Sequence, residues 1–350
     1  MNRREIITTA AAAAMCAALP AAPAAAAQHS SPALLLAKRL RLACAWPQAA
    51  GGTYDAALDM ARAVERALDV PVEIIATGEH DPESDLTFGG EQTYATQDPA
   101  LGLIGGLPAR FALSPDATAR WLTGPGADLW QEAVARTASA IPLYAGCEGV
   151  CPSLWSRREM ESLSGLRVAG AEGVFADLLT AGGATTIAMP QNMWGPALAA
   201  GDIDAAHLAS AEDVLTLGVQ CHARHCLPGV LTAHGGPLAI RVPTKLWRGF
   251  SAAARQTLRR QVAETGLRRH ARSANNHAAL LAAIREAHRL TVHRQTPVTL
   301  QRTIDRLSEA IVADYSGRDV LCRSLGGASM AQLHAKRKTA LCITGSLNVV

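Results

Sequence analysis

Apolar positions in the first two thirds of the chain alternate between short runs typical of buried strands and longer stretches with helical spacing. Residues 40–45 and 70–76 are apolar or β-branched runs, whereas residues 54–68 repeat apolar side chains on one helix face. The alternation continues to residue 245. It predicts strands at 141–144, 166–168, 185–188, 203–206 and 238–242, and helices at 117–122, 128–137, 174–179, 193–200 and 211–217. Alternating strands and helices predict an α/β architecture of parallel sheets covered by helices.

The pattern changes after Lys245. Residues 251–290 contain no proline and a single glycine, Gly266, and a second apolar stripe with helical spacing runs from Leu300 to Ile311. We expect a helical tail of two or three helices that packs over and between two sheet domains. The predicted division is a first α/β domain at 38–158, a second at 159–245, and long helices at 246–345 that complete both.

The N-terminus has the pattern of an export signal. Arg3 and Arg4 precede an apolar run over residues 6–22, and the alanines at 24–27 offer cleavage sites. Residues 1–27 are therefore predicted to be a signal peptide, and the protein to be periplasmic. The paired arginines fit the twin-arginine route, and the general secretory route fits equally well.

Cysteine usage agrees with export, because oxidising compartments favour disulfide bonds. Spacing alone leaves the connectivity open. The cysteines available for pairing are Cys147, Cys151, Cys221, Cys226, Cys322 and Cys342.

The segment Cys221-His222-Ala-Arg-His225-Cys226 also offers four ligand types for a metal ion. Four ligands within six residues do not easily reach one tetrahedron, since structural zinc sites usually separate their ligand pairs. A local disulfide is the simpler interpretation, so the sequence predicts neither a metal nor a cofactor.

Composition excludes several classes of protein. Hydrophobic residues make up 49% of the chain and charged residues 18%, which suits a packed core rather than disorder. A net charge of +3 is too small to predict a nucleic-acid partner. The Gly-x-Ser-x-Gly elbow, the phosphate-binding loop and the His-Glu-x-x-His motif are all missing from the sequence, so it does not predict an enzyme.

Several short stretches, taken in their order and spacing, carry a resemblance to a known family. They are 94–101, 121–130, 155–160, 163–168, 189–205 and 227–229, with Trp247 downstream. Together they resemble the solute-binding proteins of tripartite ATP-independent periplasmic (TRAP) transporters, nearest to the branch that binds keto acids and related carboxylates. The resemblance covers roughly residues 40–320.

The resemblance implies a two-domain, hinged α/β fold of the periplasmic-binding-protein type, in which a ligand lies between the domains. Closure around the ligand would be read by the integral-membrane subunits of the transporter. The implied function is capture of a small organic acid by an exported protein, as a monomer or a homodimer. Two alternatives stay open: a ligand sensor with the same fold, and an exported metal- or thiol-dependent enzyme built around Cys221 and Cys226.

The resemblance also points to ligand-binding positions. The family's carboxylate-clamping arginine falls here on Ala169. Arg167 lies two residues earlier and would share a strand face with it, although the place of the family's solvent-facing lysine is the better fit for Arg167. His207 replaces a family acidic residue and would hydrogen-bond a ligand carboxylate. These changes indicate a ligand other than a simple keto acid, or a protein that no longer takes part in transport.

Aromatic residues are only 4% of the chain, so each one near a strand end is a candidate wall of the site. Trp46 follows the first strand, where open sheets bind ligands, and the same reasoning applies to Tyr94. Each of these aromatic residues also suits a packing role. The complete predicted substrate-binding set is Arg167, His207, Trp155, Tyr94 and Trp46.

Overall fold

A computed structural model describes residues 39–44, 46, 52–75, 84–108, 111–232 and 234–327. The predicted signal peptide and Cys342 lie outside these residues. None of the helices described is both long and apolar enough to cross a membrane.

Eleven strands are formed within the described residues. They are β1 (Leu40–Cys44), β2 (Val72–Ile75), β3 (Leu86–Gly90), β4 (Ala140–Cys147), β5 (Ser153–Ser156), β6 (Arg167–Ala169), β7 (Thr185–Ile187), β8 (Ala205–Leu208), β9 (His225–Pro228), β10 (Pro237–Pro243) and β11 (Thr291–Val292).

Helices separate most of these strands. They are α1 (Gly52–Leu68), α2 (Pro99–Gly105), α3 (Pro115–Leu122), α4 (Ala127–Thr137), α5 (Gly173–Ala181), α6 (Trp194–Ala200), α7 (Ala211–Thr216), α8 (Thr244–Gly249), α9 (Ala252–His288) and α10 (Val298–Gly317). Short 3₁₀ turns occur at Glu91–Tyr94, Gln191–Met193 and Val219–Cys221, and residues 320–327 are helical.

The strands form two sheets, of order β2-β1-β3-β10-β4 and β11-β9-β5-β8-β6-β7. The predicted α/β fold is confirmed, but the prediction of purely parallel sheets is wrong. Strand β10 runs antiparallel to β3 and β4, and β5 runs antiparallel to β8 and β9. Both strands follow short segments, 148–152 and 229–236, that carry the chain from one sheet to the other. Neither strand pairs with the strand before it in the chain, so its direction depends on the crossing between the sheets and not on a βαβ unit.

Helix α9 confirms the predicted helical tail and packs against β4, α1 and α7. Its one glycine explains how closely it approaches the first sheet. A Cβ at Gly266 would lie 2.3 Å from the carbonyl carbon of Ala145 and 2.4 Å from the nitrogen of Gly146. Only a residue without a side chain lets the helix backbone touch the end of β4.

The six described cysteines are free thiols: Cys44, Cys147, Cys151, Cys221, Cys226 and Cys322. The predicted pairings within 147–151 and within 221–226 are therefore not formed. Cys226 is fully buried in β9, whereas Cys221 is exposed at the end of a 3₁₀ turn. Although the two residues are close in sequence, the Cys226 side chain lies in the core and the Cys221 side chain lies at the surface.

Candidate functional site

A cavity of about 210 Å³ lies between the two sheets, where the carboxyl ends of several strands meet. Trp46, Gln92 and Glu148 line it from the first sheet, after β1, β3 and β4 respectively. Glu172 and His207 line it from the second sheet. The walls therefore come from segments far apart in the chain, joined at the two crossings between the sheets.

Three acidic side chains line this cavity: Glu148, Glu172 and Asp213. Burial raises the pKa of Glu148 to about 8, and repulsion from Asp213 and Glu172 adds to the rise. Burial also raises the pKa of Glu172, which a hydrogen bond with Thr93 partly offsets. The cavity thus opposes further negative charge.

Two of these acids lie at helix N-termini. Glu172 is the N-cap residue of α5, and Asp213 lies in the first turn of α7. Ser210 caps α7: its Oγ accepts a hydrogen bond from the Asp213 nitrogen at 3.1 Å and donates to Asp213 Oδ2 at 2.7 Å. The Glu172 side chain makes no capping hydrogen bond to α5, so the two helix N-termini differ in this respect.

His207 is held in one tautomer. Its Nδ1 lies 3.4 Å from the carbonyl oxygen of Gly170, and because a carbonyl only accepts, Nδ1 carries the proton. Burial lowers the pKa of His207 to about 4, so the ring is neutral at pH 7. Its Nε2 is a lone-pair acceptor, buried and without a hydrogen-bond partner among the described residues.

Two glutamine side chains also place a buried acceptor atom without a partner, among the described residues, at this cavity. Gln92 donates from Nε2 to Glu148 Oε2, which leaves its Oε1 buried with no partner in the described part of the chain. Gln191 likewise has a buried Oε1 for which the described residues supply no donor. The unsatisfied buried side-chain atoms of Gln92, Gln191 and His207 are all acceptors.

Aromatic rings form the apolar walls of the cavity. They come from Trp46, Phe175 and Trp194. Trp46 packs edge-on against Phe88 with ring centroids 5.6 Å apart, and Trp194 Nε1 donates to the Met189 carbonyl at 3.3 Å. These contacts fix both indoles, so the walls are in place without a ligand.

The structure brings two of the five predicted site residues, Trp46 and His207, to this cavity. The other three lie elsewhere. Trp155 is 2% exposed in the centre of the second sheet and belongs to its apolar core. The ring of Tyr94 lies 3.5 Å below the guanidinium of Arg241, on another side of the first sheet.

Arg167 lies at the amino end of β6 in the second sheet, with its side chain 43% exposed, and does not line the cavity. Its Nε is 3.0 Å from Asp204 Oδ2, and its Nη2 donates to the Gly201 carbonyl at 2.5 Å. Hydrogen bonding to Asp204 is the main cause that raises the pKa of Arg167. Ala169, the position of the family's arginine, is fully buried. No lysine or arginine is among the described residues that line the cavity.

The alternative metal ligands Cys221, His222, His225 and Cys226 do not converge. His225 and Cys226 are neighbours in β9 and alternate across the sheet, with Cys226 in the core. His225 Nδ1 instead lies 3.1 Å from Nε2 of His293. Within the described residues, no group of three or more histidine, cysteine or acidic side chains is placed to hold a metal ion.

The sequence reasoning missed several cavity residues. Chief among them are Gln92, Glu148, Glu172, Trp194 and Asp213. Glu148 and Glu172 each follow the carboxyl end of a strand, which is the signal that pointed to Trp46 and His207. Applied to every strand, that signal finds both acids, whereas Gln92 follows β3, a strand that the sequence pattern did not predict.

Comparison with known proteins finds similar folds among solved structures. No known family model matches the chain, and no curated protein matches its sequence. Solved structures do match. A TRAP transporter solute-binding protein from Bordetella bronchiseptica, with calcium and picolinate, is 18% identical with a TM-score of 0.75, covering 89% of this chain and 96% of its own.

A TRAP periplasmic solute-binding protein from Colwellia psychrerythraea, with bound calcium and pyruvate, is 16% identical with a TM-score of 0.76 and covers 89% of this chain and 99% of its own. One from Rhodoferax ferrireducens with bound malonate is 15% identical with a TM-score of 0.67, covering 85% and 99%. The chain therefore has the fold of these binding proteins, as the sequence resemblance implied.

Proposed function

We propose that the protein is the solute-binding receptor of a TRAP-type importer. It captures a small molecule between its two sheets and delivers it to integral-membrane subunits. The observation that carries this proposal is the cavity of about 210 Å³ at the strand ends of both sheets, with polar and aromatic walls from each. The pattern of an export signal in residues 1–27 and the periplasmic proteins of like fold support a periplasmic location.

Small organic acids are the first ligand class to test, because the similar proteins carry picolinate, pyruvate and malonate. Two of those proteins also carry calcium. Calcium prefers oxygen ligands, and Glu148, Glu172 and Asp213 supply that chemistry. However, no three acidic, histidine or cysteine side chains of the described chain are gathered closely enough for a metal ion.

Thermal unfolding of the mature protein tests the proposed function. The panel contains small carboxylates, amino acids, amines and neutral solutes. A true ligand at about 100 times its dissociation constant adds about 2.7 kcal/mol of stability, which raises the unfolding midpoint by a few degrees in a protein of this size. If no class of solute raises the midpoint, the receptor function is contradicted.

Replacing Arg167 with alanine is expected to leave the ligand-induced rise of the midpoint unchanged. The guanidinium is bound to Asp204 and Gly201 on the surface and does not reach the cavity. Arg66→Ala, at an exposed position of α1, is the matched control. Loss of the ligand-induced rise in the Arg167 variant alone would place Arg167 in the ligand site.

A further inference from the structure

The charge of the cavity is unsuited to a free carboxylate ligand. Glu148, Glu172 and Asp213 line it, and the described lining contains no lysine or arginine to offset them. An incoming carboxylate would lie beside Glu172 and Asp213 and would further oppose the ionisation of Glu148, without the bidentate guanidinium that usually holds such a group.

Hydrogen-bonding capacity points in the same direction. Three buried atoms of the lining, His207 Nε2, Gln92 Oε1 and Gln191 Oε1, find no hydrogen-bond partner within the described residues, and each of them is an acceptor. An ionised carboxylate also only accepts, so it would leave all three atoms unsatisfied. An ammonium group carries up to three N–H donors and no acceptor, which is the complementary chemistry.

The apolar surroundings suit an organic cation rather than a bare ion. The indoles of Trp46 and Trp194 line the cavity, and the face of an indole attracts a positive charge within about 6 Å. Beyond Phe175 lies a smaller cavity of about 50 Å³ with apolar walls from Leu103 and Leu122. Both cavities share Phe175, so a hydrocarbon substituent can leave the acidic part of the site and lie among apolar side chains.

We propose that the ligand is a protonated amine with an apolar substituent, its ammonium group lying in the part of the cavity that Glu148 and Glu172 line. This inference rests on the proposed receptor function and names the class of its substrate. The amine donates to the acceptors that the fold leaves unsatisfied, and the carboxylates balance its charge. The hydrocarbon part extends past Phe175 toward the apolar cavity.

Three compounds that share one hydrocarbon skeleton test the proposal: 2-phenylethylamine, 2-phenylethanol and 3-phenylpropionate. Butylamine, butanol and butyrate form a second, smaller series. Titration calorimetry and thermal unfolding at pH 7.5 are expected to show binding by the amine of a series and none by its alcohol or acid. Pyruvate, with and without calcium chloride, is the comparison ligand.

Charge-neutral variants locate the ammonium group. Glu148→Gln and Glu172→Gln keep the side-chain shape, and each is expected to weaken amine binding by about tenfold or more, equivalent to about 1.4 kcal/mol. Glu132→Gln, at an exposed position of α4, is the matched control and is expected to bind like the unmodified protein. Circular dichroism verifies that each variant is folded.

The outcomes distinguish the proposed receptor function from the proposed amine ligand. Binding of an amine that fails in the Glu148 and Glu172 variants supports both. If the acids bind and the amines do not, or if pyruvate binds only with calcium, the amine inference is overturned while the receptor function stands. If amines bind equally well to both variants, the placement of the charge is overturned. If no compound of any class binds, the receptor function and the inference both fail.

Discussion

Replacing Arg241 with alanine is expected to lower the free energy of unfolding by about 3–5 kcal/mol. Arg241 lies in β10, inside the first sheet, where it is 5% exposed. Its Nη2 lies 2.5 Å from Oε2 of Glu91, which is fully buried, and its guanidinium lies over the ring of Tyr94. The alanine variant leaves the Glu91 carboxylate without its ion-pair partner. Urea denaturation followed by circular dichroism measures the loss.

Two controls identify the cause of that loss. The double variant Glu91→Gln/Arg241→Met removes both charges, so it is expected to be more stable than the single alanine variant. Arg39→Ala breaks an exposed pair with Glu73 and is expected to cost less than about 1 kcal/mol. If Arg241→Ala costs no more than Arg39→Ala, the buried pair does not stabilise the first sheet.

Most of the helices and several strands were predictable because their signal is local, although the helices Pro99–Gly105 and Thr244–Gly249 were not predicted. Apolar periodicity places the strand at 40–45 and the helix at 54–68, and the structure has them at Leu40–Cys44 and Gly52–Leu68. The direction of β5 and β10 is not local, because it depends on where the chain crosses between the sheets. Which strand ends face each other across the cavity follows from those crossings, and so does the meeting of Glu148 with Asp213.

The position of Arg167 shows where reasoning from one strand stops. Residues 167 and 169 do share a face of β6, as the i, i+2 rule requires. The cavity, however, begins at Gly170, beyond the carboxyl end of that strand. With a rise of about 3.3 Å per residue, Arg167 lies about 10 Å further down the strand, at its amino end. The sequence therefore predicts correctly which face of the strand Arg167 shares. It does not predict how far along the strand the cavity lies, because that depends on how the other sheet packs.

Trp155 illustrates the same limit for aromatic residues. Scarcity of aromatic side chains made each one a candidate for the ligand site. Strand β5 is paired on both edges, by β8 and β9, and its four residues are all buried. A tryptophan in such a strand packs in the core. Nothing in the local sequence distinguishes it from Trp46, which follows an equally apolar strand but lies at the strand's carboxyl end.

Replacing Glu148 with glutamine is expected to stabilise the ligand-free protein by about 2–4 kcal/mol at pH 9, with little effect at pH 4. Burial holds the pKa of Glu148 at about 8, against 4.5 for the ordinary side chain. The folded state therefore prefers the protonated form. The stability that this preference contributes is fully present below pH 4.5 and is lost as the pH rises to about 8. Glutamine does not ionise, so the variant keeps its free energy of unfolding as the pH rises through this range.

Denaturation of both proteins at several values between pH 4 and pH 9 measures the effect. His207 contributes with the opposite sign. Its pKa is lowered to about 4, so the stability that it contributes is lost as the pH falls from 6.5 toward 4, and it is lost equally in both proteins. The difference between the two stability curves therefore reports Glu148, together with its repulsion from Glu172 and Asp213. Curves that remain parallel across this range would contradict the raised pKa.

The same substitution connects stability to ligand capture. A protonated amine favours the ionised form of Glu148, so its binding releases a proton near neutral pH and becomes tighter as the pH approaches 8. Glu148→Gln is therefore expected to raise stability while it weakens amine binding, as for a residue whose unfavourable burial serves function. A purely structural acid would lose stability on substitution and leave binding unchanged. The opposite signs of the two changes distinguish a carboxylate kept for its ligand from one kept for the fold.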